Sequence, residues 1–180
     1  MLFCEQPFKG LFLIESEPFV DHRGVFRRHY CFSEYMEAGL DGTVAQCNIS
    51  ETRNIKTLRG FHYLFPFVET KTMACVHGSV HVVIVDVRPD SKTYRQNLSF
   101  ELSSDNRLSL QIPPGCANAY LTLQDDSKIF YIHSVAYDPS KERGFRYNDP
   151  YFGIEWPVEP MHISQKDANY PDFVPIGEGN

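Results

Sequence analysis

Ionisable side chains are concentrated in one apolar stretch, "TLRGFHYLFPFVETK", which spans residues 57 to 71. It carries Arg59, His62, Glu69 and Lys71 among bulky apolar residues. Histidine is the side chain that most readily exchanges a proton near neutral pH, and the neighbouring cations could hold an anionic ligand. The stretch could therefore supply general acid–base catalysis. Taken alone, it favours a hydrogen-bonded core histidine and a surface arginine instead.

The backbone conformation at Gly60 determines whether the Arg59 and His62 side chains can face one pocket. Strict strand alternation would place their side chains on opposite faces. A glycine inside a strand pattern is typical of a β-bulge, which re-aims the neighbouring side chains. The sequence therefore predicts a bulge at Gly60 if both residues face the same ligand.

The strands that must position these residues are visible as alternating apolar patterns. The segments "LSFELS" and "LSLQI" predict half-buried antiparallel strands, and "GSVHVVIVDVR" predicts a central strand buried on both faces. "KIFYIHSVAY" predicts a long strand with Tyr131 and Tyr137 on one side. Many short strands separated by Gly, Pro, Asn and Asp predict an all-β sandwich or jelly roll.

One short helix and one irregular segment are expected besides the strands. "SEYMEAG" predicts a short helix with Ser33 as its N-cap and Gly39 as its stop signal. The segment from about Asp149 onward is rich in proline and aromatic residues, and it is expected to wrap the barrel as irregular chain.

Composition restricts the class of partner. The 180 residues are 42% hydrophobic, which suits one domain over residues 1–180. The net charge of -6 argues against a nucleic-acid partner, and no apolar run is long enough for a membrane helix. The five cysteines are scattered and the N-terminus lacks a basic leader, so a cytoplasmic protein with reduced thiols is expected.

Separated motifs along the chain carry a family resemblance over roughly residues 8 to 172. Their order and spacing resemble those of the dTDP-4-dehydrorhamnose 3,5-epimerase family. The motifs are "FVDHRGVFRR", "AQCNIS", "TLRGFHY", "ETKTMACVHGSVHVVIVDVRPDSKTY", "IPPGCANAY", "YIHSVAYDPSKERG", "YNDP", "IEWP" and "ISQKD". The resemblance implies a cupin-type jelly roll, usually dimeric, with one or two short helices. It also implies inversion of carbons next to the ketone of a nucleotide-diphospho-4-keto-6-deoxy sugar, without metal or cofactor.

The resemblance also implies catalytic roles, and these meet the chemical needs of the reaction. Epimerisation next to a ketone needs a base, a group that holds the enolate oxygen, and an acid on the opposite face. His62 would be the base, with Asp167 as its partner. Lys71 would lie near the ketone oxygen, and Tyr131 would be the acid. Cross-strand packing is the alternative for Tyr131.

Further positions match the family's ligand-binding residues, and each could alternatively be an ordinary surface or loop residue. Arginines among them suit a diphosphate because they form paired hydrogen bonds. Tyr137 is expected to line the cavity away from the proton transfer. The implied substrate-binding set is Arg23, Arg28, Gln46, Asn48, Arg59, Asn118, Tyr137, Glu142 and Lys166.

Three positions depart from the family pattern. Leu64 replaces a glutamine, Arg28 replaces an acidic residue at a nucleotide contact, and Asn118 replaces a histidine. The charge reversal at Arg28 makes CDP or GDP conceivable in place of dTDP. Because an asparagine cannot carry a proton, Asn118 predicts that one carbon is inverted rather than two.

Three rival classes are compatible with a cupin fold. A metal-dependent cupin would need several histidine ligands, but the first motif offers only His62 and the second carries Asn118. A non-catalytic sugar-binding cupin is a second rival, although it would more readily have lost one of the four catalytic candidates. A 3,4-ketoisomerase acting on a similar sugar is the third.

Overall fold

The computed structural model describes residues 1–175 of the chain. Within them, fourteen β-strands and two short helices follow one another. They are β1 (Leu2–Glu5), β2 (Phe12–Glu15), β3 (Phe19–Asp21), β4 (Gly24–Phe26), α1 (Phe32–Glu37), β5 (Gln46–Thr52), β6 (Thr57–Leu64), β7 (Lys71–His77), β8 (Ser79–Asp86), β9 (Asn97–Ser103), β10 (Leu108–Ile112), β11 (Cys116–Thr122), β12 (Ser127–His133), β13 (Glu142–Gly144), β14 (His162–Ile163) and α2 (Gln165–Ala168).

Two sheets contain most of these strands. The first has the order β1-β2-β10-β7-β12-β5, and the second has the order β13-β6-β11-β8-β9. Strand β14 pairs with β6 in parallel, whereas the other neighbours are antiparallel. Strands β3 and β4 form a separate hairpin. The all-β jelly roll predicted from the strand pattern is confirmed.

The main core lies between the inner faces of the two sheets. Met73 and Ile129 of the first sheet belong to the same buried cluster as Val82 and Ile84 of the second. Burial of this apolar surface is the main force that holds the sheets together. The resulting two-layer frame fixes the strands whose polar side chains form the site.

A second core explains why β8 is apolar on both faces. Val83 and Val85 point away from the first core and pack with Phe61, Phe145 and Phe152. The last two aromatic side chains belong to the segment beyond β13, which covers the outside of the second sheet. The predicted central strand is confirmed. The predicted wrapping by an irregular C-terminal segment is confirmed as well, except that this segment also forms β14 and α2.

The alternation predicted for β9 is confirmed from Leu98 to Leu102 but fails at Ser103, which is buried. The alternation predicted for β10 is wrong. In β9, Phe100 packs against the core while Glu101 is exposed. In β10, Ser109 and Gln111 are buried although they lie on the face expected to meet solvent. The segment after α1 covers this face, and the Gln111 side-chain amide donates a hydrogen bond to the backbone oxygen of Asp41 at 2.9 Å.

The predicted helix forms, but it begins two residues earlier than expected. Its N-cap is Cys31 in an extended conformation, not Ser33, which lies inside the helix. Burial of Tyr35 against Ile14 fixes the helix on the first sheet and sets where it begins. Gly39 follows the C-cap with φ of 77°, as expected for a glycine stop signal.

Strand β12 is shorter than predicted. It ends at His133, so Val135 and Tyr137 do not continue its face. After the strand, Ser134 exchanges hydrogen bonds with Thr70, because its backbone N–H donates to the Thr70 oxygen and its hydroxyl accepts from the Thr70 N–H. The chain then enters the turn before Pro139, where an extended strand cannot continue in register.

Candidate active site

One large polar cavity opens between the two sheets and measures about 1190 Å³. The first sheet contributes residues of β5, β7 and β12, and the second contributes residues of β6 and β11. The C-terminal segment closes one side. The polar lining includes Asn48, Ser50, Arg59, His62, Lys71, Asn118, Tyr120, Tyr131, His133, Lys166 and Asp167.

The predicted bulge at Gly60 is confirmed. Asn118 pairs with His62 and Tyr120 pairs with Arg59, so β6 has one residue more than β11 between these pairs. Gly60 has φ of 114°, and a Cβ there would lie 2.6 Å from the Asn118 backbone oxygen. A side chain cannot be accommodated at this position. The bulge turns both Arg59 and His62 into the cavity.

His62 forms a short contact with Asp167 on α2. Their Nε2 and Oδ1 atoms lie 2.7 Å apart, and the other carboxylate oxygen accepts a hydrogen bond from the Gly60 N–H at 3.3 Å. Asp167 is itself held by α2, because its N–H donates to the Ser164 hydroxyl that caps this helix.

The protonation of this pair follows from the charge of Asp167. Burial alone would raise the pKa of the Asp167 carboxyl, but the hydrogen bond and the charge of His62, together with the Gly60 N–H, hold it below its ordinary value. An ionised carboxylate can only accept, so His62 Nε2 carries the proton. Nδ1 of His62 is then left as the free basic nitrogen.

Lys71 and Tyr131 lie on the first sheet, across the cavity from β6. The Lys71 ammonium lies 3.3 Å from Glu69 and its side chain is 12% exposed. Burial, reinforced by Tyr120, raises the pKa of the Tyr131 phenol well above its ordinary value. Tyr131 therefore stays protonated and can donate a proton.

The predicted ligand-binding residues divide into two groups. Asn48, Arg59, Asn118 and Lys166 line the cavity directly. Gln46 and Glu142 support these lining residues from behind. The Gln46 amide donates to Asn48 at 3.1 Å, and the Glu142 carboxylate lies 2.7 Å from the Lys166 ammonium.

Three predicted ligand residues do not reach the cavity of their own chain. Arg23 is paired with Asp21 in the β3–β4 hairpin, and Arg28 is paired with Glu34 of α1. Tyr137 is 59% exposed, and its hydroxyl donates to Glu142. Because β12 ends before Tyr137, its side chain lies outside the cavity lining of the single chain, and its ligand role stays a prediction.

Among the cavity-lining residues to which sequence reasoning gave no role are Ser50, Tyr120 and His133. The Tyr120 hydroxyl lies 2.9 Å from the Ser50 hydroxyl, and His133 Nδ1 lies 2.8 Å from Glu69 Oε1. The spacing of "YIH" could have indicated His133, because residues two apart on a strand share a face and Tyr131 was already a candidate. Nothing in the sequence pattern pairs His133 with Glu69, which is 64 residues away.

Some features are absent from residues 1–175. No three histidine, cysteine, aspartate or glutamate side chains in this range are grouped to hold a metal ion. In the same range, no helix has the length and apolar character that crossing a membrane requires. The five cysteines are unpaired.

Two facing sheets with a polar cavity between them, into which a histidine–carboxylate pair projects, define a cupin-type jelly roll. The family model described as dTDP-4-dehydrorhamnose 3,5-epimerase matches residues 5–174. The chain belongs to this family of isomerases, and the resemblance of the separated motifs is confirmed.

Individual relatives match over nearly the whole chain. The dTDP-4-dehydrorhamnose 3,5-epimerase of Sinorhizobium fredii is 35% identical over 163 residues, covering 89% of this chain and 84% of that protein. The crystal structure of the Bacillus anthracis dTDP-4-dehydrorhamnose 3,5-epimerase, with TDP and PPi bound, has a TM-score of 0.92 and 31% identity, covering 96% of this chain and 99% of that one. The crystal structure of ChmJ, a 3'-monoepimerase from Streptomyces bikiniensis, in complex with dTDP-quinovose has a TM-score of 0.87 and 31% identity, covering 93% of this chain and 85% of that one.

Proposed function

We propose that this protein epimerises a nucleotide-diphospho-4-keto-6-deoxy sugar in the cytoplasm by proton transfer at carbons next to the ketone. One observation carries the proposal: the His62–Asp167 pair faces Lys71 and Tyr131 across a single cavity. A base, a cation and a protonated phenol around one space are the groups that this reaction needs. Membership of the epimerase family supports the same reaction.

The proposed reaction assigns one step to each group. Nδ1 of His62 removes the proton next to the ketone, and the electrons of the broken C–H bond move to the ketone oxygen. Lys71 stabilises the resulting enolate, since a charged donor at a developing oxyanion is worth about 3 to 4 kcal/mol. Tyr131 then delivers a proton to the opposite face of the carbon, and the ketone forms again with inverted configuration.

The charged residues at the cavity support a diphosphate as part of the substrate. Arg59 and Lys166 both line the cavity, and arginine can bind phosphate oxygens through two parallel hydrogen bonds. The Glu142 carboxylate next to Lys166 is ionised: burial would raise its pKa, but the hydrogen bonds from Lys166 and Tyr137 keep that pKa below the ordinary value. Glu142 therefore orients Lys166 rather than binding an anion itself.

The departures at Arg28 and Leu64 leave the nucleotide open among dTDP, CDP and GDP. Arg28 is exposed and paired with Glu34 outside the cavity of its own chain. Leu64 is buried and does not belong to the cavity lining.

Asn118 acts on the position of His62 rather than as a proton carrier. Its amide donates a hydrogen bond to the His62 backbone oxygen at 3.0 Å, across the β6–β11 pairing. The number of inverted carbons then depends on the acids of the opposite wall. The prediction of a single inversion drawn from Asn118 is therefore tested by counting the carbons that exchange.

Incubation with candidate substrates in D₂O tests the function directly. We expect deuterium to enter next to the ketone when a 4-keto-6-deoxyhexose linked to dTDP, CDP or GDP is incubated with the protein, as detected by mass spectrometry and NMR. Each exchanged carbon takes up one deuterium, so the label counts the carbons that react. If a correctly folded protein labels none of the three sugars, a binding role replaces the epimerase.

A homodimer is the second part of the proposal. The β3–β4 hairpin exposes Phe19 and Phe26, whose side chains are 76% and 72% exposed in the single chain. Val20 and Val25 form the next cross-strand pair and expose apolar side chains on the other face of the hairpin. Exposed apolar side chains on both faces of a hairpin are typical of a protein interface. We take a second copy of the chain as its partner because the family is usually dimeric.

Replacing the two hairpin phenylalanines should weaken the dimer. Buried interface aromatics commonly contribute more than 1 kcal/mol each, so Phe19→Ser with Phe26→Ser should raise the dimer Kd by roughly 30-fold or more. Sedimentation equilibrium measures this change. Val174→Ser is the control, because it removes another apolar side chain that is 58% exposed. A monomeric wild type, or a double variant that stays fully dimeric, contradicts the proposed interface.

A further inference from the structure

The cavity contains a second histidine–carboxylate pair, on the wall opposite His62. His133 lies at the end of β12 and Glu69 lies just before β7, whereas His62 and Asp167 lie on the side of the second sheet. The side chains of His133 and Glu69 are 14% and 13% exposed. The two imidazoles therefore approach the same ligand space from the two sheets.

A chain of hydrogen bonds runs across three neighbouring strands and fixes the state of His133. The Gln46 amide donates to the Asn48 side-chain oxygen at 3.1 Å, and the Asn48 amide lies 3.3 Å from His133 Nε2. On the other side of the ring, Nδ1 lies 2.8 Å from Glu69 Oε1, and the Lys71 ammonium lies 3.3 Å from Glu69 Oε2. Every donor in this chain points toward Glu69.

The direction of these bonds assigns the protons of His133. Burial would raise the pKa of Glu69, but the hydrogen bond from His133 and the charge of Lys71 hold it below its ordinary value, so the carboxylate is ionised. It can then only accept from His133 Nδ1–H. Nε2 accepts from Asn48, which describes a neutral imidazole whose Nε2 is free to carry a proton only when the Asn48 amide turns away.

His133 also lies beside the proposed acid. The rings of Tyr131 and His133 are stacked, with centroids 5.8 Å apart and an interplanar angle of 28°. Both residues line the cavity from one strand face. The wall opposite His62 thus places the His133 ring beside the Tyr131 phenol, one above the other.

We propose that His133, oriented by Glu69, is a second proton donor, so that Tyr131 and His133 each protonate one of the two carbons flanking the ketone. This inference rests on the proposed epimerase function. A sugar ketone has two neighbouring carbons at different places along the wall, and two stacked donors match this arrangement. The assignment extends the catalytic set beyond the four residues implied by the family motifs.

The proton balance of the step is simple. His62 takes the proton from the carbon, and the enolate forms at the ketone oxygen. When the Asn48 amide turns from His133 to the bound sugar, the His133 imidazolium gives its Nε2 proton to the opposite face of that carbon, a new C–H bond forms, and the ketone returns. His133 is left neutral with Nε2 accepting from Asn48, which is the state in the structure. His62 then loses its proton to solvent and His133 regains one.

Site-specific labelling tests the assignment. Wild type, His133→Gln and Tyr131→Phe are each incubated with the active nucleotide sugar in D₂O, and NMR follows inversion at the two carbons separately. We expect wild type to invert both carbons, in contrast to the single inversion predicted from Asn118 alone. His133→Gln should slow inversion at one of them by about 10²- to 10⁴-fold, the usual contribution of a general acid, and Tyr131→Phe should slow inversion at the other.

Each other result overturns the proposal. Equal slowing at both carbons in His133→Gln assigns His133 a role in holding Glu69 and Lys71, because an orienting group serves every step alike. A wild type that inverts one carbon, or a His133→Gln variant that inverts both at the wild-type rate, excludes a second donor. A wild type that labels no substrate instead removes the epimerase function itself.

Thermal unfolding shows whether the His133→Gln variant is folded. If it is not, a second variant replaces it in the experiment. Glu69→Gln keeps the shape of the side chain but removes the counter-charge of the His133 imidazolium. It should slow both carbons, because Glu69 also holds Lys71, but it should slow the carbon served by His133 more strongly. Slowing of both carbons to the same degree in Glu69→Gln overturns the proposal in this case.

Discussion

Replacing His62 by alanine is expected to slow epimerisation by about 10²- to 10⁴-fold, the contribution that general bases typically make. The substitution removes the nitrogen that faces the cavity and leaves the buried Asp167 carboxylate without its partner. Exchange of deuterium next to the ketone should fall by the same factor, because no label can enter before the proton is abstracted.

Thermal unfolding of the variant separates a loss of chemistry from a loss of stability, because the substitution removes a partner of the buried Asp167 carboxylate. Asn118 bonds the backbone oxygen of His62 rather than its ring, and this contact survives in the alanine variant. His77→Ala is a suitable control, since His77 is exposed at the end of β7. Undiminished turnover in His62→Ala would remove the assignment of His62 as the base.

The fold could be predicted from the sequence where one face of a strand meets solvent or both faces meet protein. The alternation around Phe100 and the uniform apolar run of β8 each predicted the observed burial of their side chains. The same reasoning failed for Gln111, because the cover over β10 comes from a segment about 70 residues away. Periodicity reports the local environment, and it carries no information about which distant segment covers a strand.

The site could be predicted from the sequence only in part, for the same physical reason. The Gly60 bulge could be predicted because the required change of face is local to Arg59 and His62. The contact between His62 and Asp167 spans 105 residues, and only the family resemblance connected them. The resemblance assigns no role to Glu69 or His133, so their pairing required the three-dimensional arrangement of β7 and β12.

The charge pattern of the cavity follows from how each cation is paired. Lys71 shares Glu69 with His133, and Lys166 is held by Glu142. Each carboxylate fixes the place of a cation while the remaining N–H groups of that cation can bind ligand oxygens. Such an arrangement orders the cationic side chains before the substrate arrives, which lowers the entropy lost on binding.

Asp167→Asn is expected to reduce kcat by about 10²- to 10⁴-fold, because a general base is lost when its proton lies on the wrong nitrogen. Asp167 accepts from both the Gly60 N–H and His62 Nε2. An asparagine has one accepting oxygen. If that oxygen keeps the Gly60 N–H, the amide donates to Nε2, and the proton of the imidazole moves to Nδ1. The atom that should remove the substrate proton then already carries one.

Two further measurements separate this effect from a loss of structure. Substrate KM should change little, because Asp167 acts through His62 rather than on the bound nucleotide. The pKa of Asp167 is held down in the folded state, so its stabilising contribution is present above a pH of about 4 and is lost as the pH falls through the folded-state value. The gap in unfolding free energy between wild type and Asp167→Asn should therefore narrow on acidification. A variant with normal kcat would show that the tautomer of His62 does not depend on this carboxylate.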